Sequence, residues 1–139
     1  MREIMIGVDG SDAAADATRR AGQLAKETGA TLTVVHVHYL PSLGTPQVLG
    51  LEDLQARWKE ADRLVTERTA EVLDPLGVPW RFEVRTGEPA AELEALAAEH
   101  GADVVVVGNR GHGLGHRLLL GSVSNRLVHH ADRPVLVAR

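Results

Sequence analysis

The chain has 139 residues, 44% hydrophobic and 24% charged, which supplies one packed core and argues against disorder. A net charge of −4 speaks against a surface built as a whole for nucleic acid, and the lack of cysteine excludes a disulfide framework, a thiolate metal site and a cysteine nucleophile. The opening MREIMIGVDGSD turns acidic too early for a secretory signal, and no apolar run nears the ~20 residues that span a bilayer, so a cytoplasmic protein with no membrane partner is expected.

Residues 4–8 (IMIGV) read as a strand apolar on both faces. Asp9-Gly10-Ser11-Asp12 follows as turn and helix cap, and the first helix carries Ala14, Ala17, Ala21, Leu24 and Ala25 on one face before Gly29 ends it. A β-branched strand spans 31–37, and residues 39–50, with two prolines and two glycines, read as a loop. The second helix covers 51–73, with Leu51, Leu54, Trp58, Ala61, Val65 and Val72 near one face; Asp62 and Arg68 belong with the charged residues expected on its solvent side. Strand 80–85 is polar enough for a sheet edge. Pro89 opens a third helix with Leu93, Leu96, Ala97 and His100 inward. Four valines, 104–107, mark a strand buried on both sides. A glycine-rich stretch over 108–120, a short helix from Gly121-Ser122 and a last strand at 134–137 complete the chain.

This β-α alternation implies a single domain over 1–139: an α/β, doubly wound, five-stranded parallel sheet of order 3-2-1-4-5 with helices on both faces. Ligands of such sheets sit at the carboxyl ends of the strands where the strand order reverses, here between strands 1 and 4. Asp9-Gly10-Ser11 and Gly108-Asn109-Arg110-Gly111 stand at those ends.

Four glycines, 108, 111, 113 and 115, follow the buried strand, and Gly121 precedes the fourth helix. Glycine lets backbone N–H groups approach an anion, and a helix N-terminus adds free N–H groups and a positive dipole end. Residues 108–139 also carry five arginines against one acid, Asp132, which suits a local anion site. The stretch is neither a Walker loop nor a dinucleotide fingerprint. Gly108-x2-Gly111-x9-Gly121-Ser122 resembles the ATP-binding signature of universal stress proteins, G-x2-G-x9-G-[S/T], in every spacing. The flanking Val104–Gly111 and Leu118–Asn125 segments, Ile6-Gly-Val-Asp-Gly-Ser11 and Val35-His-Val37 are similar to that family as well.

The resemblance implies an ATP-binding, nucleotide-dependent stress or signalling module of a Rossmann-like type. By it, Asp9, with Gly10 and Ser11, contacts the ribose or adenosine end. Val37 holds adenine through its backbone. Gly108, Gly111, Gly121 and Ser122 line the phosphates, with Asn109, Arg110 and Val123 beside them. Mg²⁺ or Mn²⁺ would be carried by the phosphates and water. No catalytic residue is assigned. The alternatives are a slow ATPase or nucleotidyl-transfer enzyme on the same fold, or a protein-interaction domain without nucleotide. His36 and His38 share a strand face, but no histidine spacing specifies a metal site, and none is expected. A homodimer through Val135, Leu136 and Val137 is expected from the apolar edge strand and from the resemblance.

Overall fold

A computed structural model describes residues 1–39, 50–109 and 122–139, with Leu51 described in its backbone alone. In chain order they form β1 (Glu3–Val8), α1 (Asp12–Thr28), β2 (Thr31–Tyr39), α2 (Leu51–Leu73), a 3-10 turn (Asp74–Leu76), β3 (Trp80–Gly87), α3 (Pro89–His100), β4 (Val104–Gly108), α4 (Ser122–His130) and β5 (Val135–Ala138). Every pairing is parallel and the order is β3-β2-β1-β4-β5, the doubly wound arrangement that the alternation of elements implies. Among the described residues, no helix is long and apolar enough to cross a membrane.

Strand alternation divides the core between the two faces. Ile4, Ile6, Val8, Leu32, Val34, Val104 and Val106 pack with residues of α1 and α2, while Met5, Val35, Val105 and Val107 pack with residues of α3 and α4. Each fully buried aliphatic side chain contributes about 1.5–3 kcal/mol, and the central strands are buried on both sides. The inner stripe of α1 is alanine, which lets the helix lie close to the sheet. Gly22 extends that economy: a Cβ there would sit 2.7 Å from both Leu73 Cδ2 and Leu76 Cδ1.

Two strands run further than their apolar residues suggest. β2 continues to Tyr39 and β3 to Gly87 because they pair with each other, Val37 opposite Arg85 and Tyr39 opposite Gly87. The ladder is made by backbone, so polar side chains do not end it. His100 corrects the expected inner face of α3. Leu93, Leu96 and Ala97 are buried, but the His100 ring lies between Arg81 Nη2, 3.1 Å from Nδ1, and Glu83 Oε1, 2.7 Å from Nε2.

At the amino edge of the sheet, Asp103 accepts hydrogen bonds from the N–H groups of Arg2 (2.7 Å) and Glu3 (3.0 Å). Those bonds, Glu3 foremost, hold its carboxyl below the ordinary carboxylate pKa. Backbone bonds from Thr31 to Arg2, Leu32 to Pro79, Asp103 to Glu3 and Val105 to Pro134 stitch the strand starts together.

Candidate functional site

The turn after β1 is built by its own residues. Asp9 Oδ1 accepts from the Ser11 N–H at 3.0 Å, and Ser11 Oγ accepts from the Ala14 N–H at 3.1 Å, capping α1. Gly10 takes φ +84°, a conformation in which a side chain is strained. Arg68 reaches across from α2, donating to the Gly10 carbonyl at 3.0 Å and pairing with the Asp12 carboxylate. The turn is therefore fixed from both of its helices.

The end of β4 meets that turn closely. A Cβ on Gly108 would lie 3.2 Å from the Ala13 carbonyl oxygen at the start of α1. The Gly108 carbonyl accepts from the Ser124 hydroxyl, and the Asn109 N–H donates to the Ala138 carbonyl at 3.1 Å. β4 is thereby held to α4 and β5 at the level where α4 begins.

Between these ends lies a cavity of about 460 Å³, within the ~300–1,000 Å³ of small-molecule sites. Of the residues expected from sequence, Asp9, Val37, Gly108, Ser122 and Val123 line it. Gly10 and Ser11 do not; they border a separate hollow of about 10 Å³ between α1 and α2, and their place is to shape the turn. Asn109 lies outside the lining too, its backbone engaged with β5. Arg110, Gly111 and Gly121 fall outside the described residues, as do residues 40–49.

The lining also includes residues that pattern reading passed over, His36 and Tyr39 of β2, Ala61 of α2, and Pro89 and Leu93 of α3. Leu93 could have been found through Gly7. A Cβ on Gly7 would lie 2.7 Å from Leu93 Cδ1, so α3 comes close to the strand where its side chain is missing, and a glycine inside a buried strand is the signal of such an approach. Glu88 caps α3, its carboxylate accepting from the Ala91 N–H at 2.9 Å, and it pairs with Arg126 of α4 at 2.9 Å. That pair ties α3 to α4.

A compact polar group stands at the same edge. His36 Nδ1 and His38 Nε2 lie 2.7 and 2.8 Å from one oxygen of Asp62, and the His38 ring stacks on Trp58 with centroids 4.6 Å apart. Asp62 therefore corrects the expected solvent face of α2 by turning inward, while Arg68 leans to the β1–α1 turn and stays partly exposed.

Chemically, the cavity pairs mostly apolar walls with a carboxylate at one end, Asp9, and with the N-terminal residue of α4, Ser122, at another. A helix N-terminus favours an anion through free N–H groups and the dipole.

The model of the universal stress protein family matches residues 1–139. A universal stress protein of Methanocaldococcus jannaschii is 32% identical over 99% of this chain and 82% of its own length. Among solved structures, a universal stress protein of Lactobacillus plantarum superposes with a TM-score of 0.79 at 30% identity, covering 99% of this chain and 97% of its own. A universal stress protein solved in complex with cAMP superposes with a TM-score of 0.71 at 27% identity, with the same coverage of both chains.

Proposed function

Because this chain belongs to the universal stress protein family, we propose that its cavity binds an adenine nucleotide, ATP foremost, and that the protein is a nucleotide-dependent stress-response module rather than an efficient enzyme. The observation that carries the reading is that Asp9, Val37, Gly108 and Ser122, scattered along the chain, line one cavity at the carboxyl ends of β1, β2 and β4. The related protein in complex with cAMP supports an adenine nucleotide.

In this reading Asp9 accepts hydrogen bonds from the ribose hydroxyls. Val37 offers its backbone to adenine; β2 runs past Val8–His36, the last pair it makes with β1, so Val37 meets the cavity beyond that ladder. Phosphates lie toward Gly108 and the start of α4, where Ser122 donates a hydrogen bond. Gly111 and Gly121 complete that end through the signature spacing. Mg²⁺ or Mn²⁺, when bound, neutralises phosphate charge. The described lining offers one carboxylate, Asp9, whose Oδ1 already accepts from Ser11, and this fits a cation held mainly by phosphate and water. Efficient phosphoryl transfer needs a positioned base and protein metal ligands, so binding is the proposed activity.

Calorimetric titration of ATP, ADP and AMP tests the reading. ATP should bind more tightly than AMP; equal affinities, or no binding, would remove the phosphate end from the site.

A homodimer is part of the same proposal. β5 is a sheet edge, and Leu136 on it is 42% exposed while Val135 and Val137 pack partly inward. An apolar edge is a template for pairing with a second copy. Leu136→Lys should sediment as a monomer, and a wild-type chain monomeric at high micromolar concentration would refute the dimer.

A further inference from the structure

Independently of the nucleotide reading, we propose that His36, His38 and Asp62 form a binding site for one divalent transition-metal cation, zinc foremost, in the wall of the cavity. The two histidines continue the row of Leu32 and Val34 along one face of β2, where period-two alternation points them toward α2. Helix α2 lays Asp62 over them, so that one ligand atom from each of the three residues lies within 4.8 Å of the others. Two imidazole nitrogens and a carboxylate oxygen are a donor set for zinc, nickel or copper; magnesium and calcium prefer oxygen alone.

The hydrogen bonding is itself a substitute for a cation. His36 Nδ1 and His38 Nε2 both approach the same Asp62 oxygen, at 2.7 and 2.8 Å. To donate there, each nitrogen must carry its proton. A divalent cation between the three groups replaces both, and each neutral ring moves its proton to its other nitrogen. Ligands about 2.0–2.1 Å from a tetrahedral zinc stand roughly 3.3 Å apart, so each histidine–Asp62 contact, now 2.7 and 2.8 Å, needs to open by about half an ångström, while the two ring nitrogens already lie within 4.8 Å of each other.

Burial and access also fit. The side chains of His38, His36 and Asp62 are 8%, 12% and 23% exposed, dry enough to hold a cation against water. His36 lines the cavity, which gives an entry path and room for a fourth ligand. Trp58, stacked on His38 with its plane 11° from parallel, fixes that ring and supplies an optical reporter.

Metal-free full-length protein is titrated with zinc chloride alone, without nucleotide, by calorimetry. Copper(II) chloride is then added in a Trp80→Phe background to quench Trp58. Binding of one zinc per chain is expected. His38→Asn and Asp62→Asn should each weaken it at least ~100-fold, beyond the 10–100-fold that loss of an outer partner costs. His129→Asn with His130→Asn, which removes an exposed adjacent pair on α4, should leave it unchanged. Should the Asn variants unfold, imidazole ¹⁵N spectra of the wild type decide: zinc should shift His36 Nδ1 and His38 Nε2 together. Absence of zinc binding, zinc binding that survives Asp62→Asn, or zinc binding lost only with His129 and His130 would overturn the proposal and leave a hydrogen-bonded trio. Since no nucleotide is added, failure here leaves the ATP reading standing, and failure of the ATP titration leaves this one standing.

Discussion

At the amino edge of the sheet, Asp103 takes the N–H groups of Arg2 and Glu3, and Arg81 donates to Thr33 at 2.8 Å and to Glu3 at 3.1 Å. At the carboxyl edge, β1 runs instead into the Gly10 turn and β4 ends at Gly108, beside a cavity of about 460 Å³. The same parallel sheet thus closes its polar groups on one another at one end and turns them toward a hollow at the other. On the proposed reading the difference separates holding the fold together from holding a ligand, and substitutions at the two edges should separate the two properties in the same way.

The largest effect is expected at Gly108. Its added Cβ alone would lie 3.2 Å from the Ala13 carbonyl, and the methyls of valine crowd the start of α1 further. Gly108→Val should weaken ATP binding at least ~10-fold, about 1.4 kcal/mol, and lower stability by about 1–3 kcal/mol, as overpacking does. Calorimetry and urea denaturation read the two losses, and a folded variant with normal ATP affinity would break the contrast between the edges.

Arg68→Ala sharpens it at the boundary between fold and site. It removes the charged donor to the Gly10 carbonyl while leaving the cavity lining intact. The Arg68 side chain is 43% exposed, so its ion pair with Asp12 adds little, and a loss of about 1 kcal/mol is expected. ATP affinity should fall about 3-fold through the loosened turn; an unchanged denaturation midpoint would show that the turn does not need its tie to α2.

The smallest effect, and none on ATP, is expected from Asp103→Asn at the amino edge. The Asp103 pKa is depressed in the folded state, so its contribution is present above the unfolded pKa and lost as pH falls through the folded one. The wild type should melt higher than the variant at neutral pH, with the gap closing below the ordinary carboxylate range. A gap independent of pH would point to lost packing instead of charge.

The sheet was readable because burial writes itself into composition. Four consecutive valines are the mark of a strand covered by helices on both faces, and Asp9 and Gly108, at the carboxyl ends of β1 and β4, both line the cavity there. Strand ends were harder, since β2 and β3 extend through backbone pairing at His38–Thr86 and Tyr39–Gly87 regardless of side-chain polarity. Asp62 was hidden among the charges of α2, although it lies four residues after Trp58 and three before Val65, on the helix's inner stripe. Its partners are on β2, and a long-range polar pair leaves no periodic trace in one sequence. Glu88 was hidden similarly: a glutamate cap is rarer than the Ser11 type, and only the Ala91 hydrogen bond identifies it.

Strands that touch in space are not equally near along the chain. Glu3 stands opposite Thr31, and Val105 opposite Val135, while the central pairing sets Ile4 against Val104. Loop-closure entropy rises by only ~0.6 kcal/mol per doubling of length, so the distant pairing costs little at equilibrium. Its weight falls on folding kinetics, where non-local pairing is slow. The β1-β2 and β4-β5 pairings are the more local ones, so the seam between β1 and β4 is the pairing expected to form last. Asp9 lies on one side of that seam and Gly108 on the other. On the proposed reading a nucleotide sits across that seam and so favours the state in which the two sides are joined. At a hundred times its Kd it would add about 2.7 kcal/mol to the stability of the folded state, acting as a clasp on the pairing that is most distant along the chain.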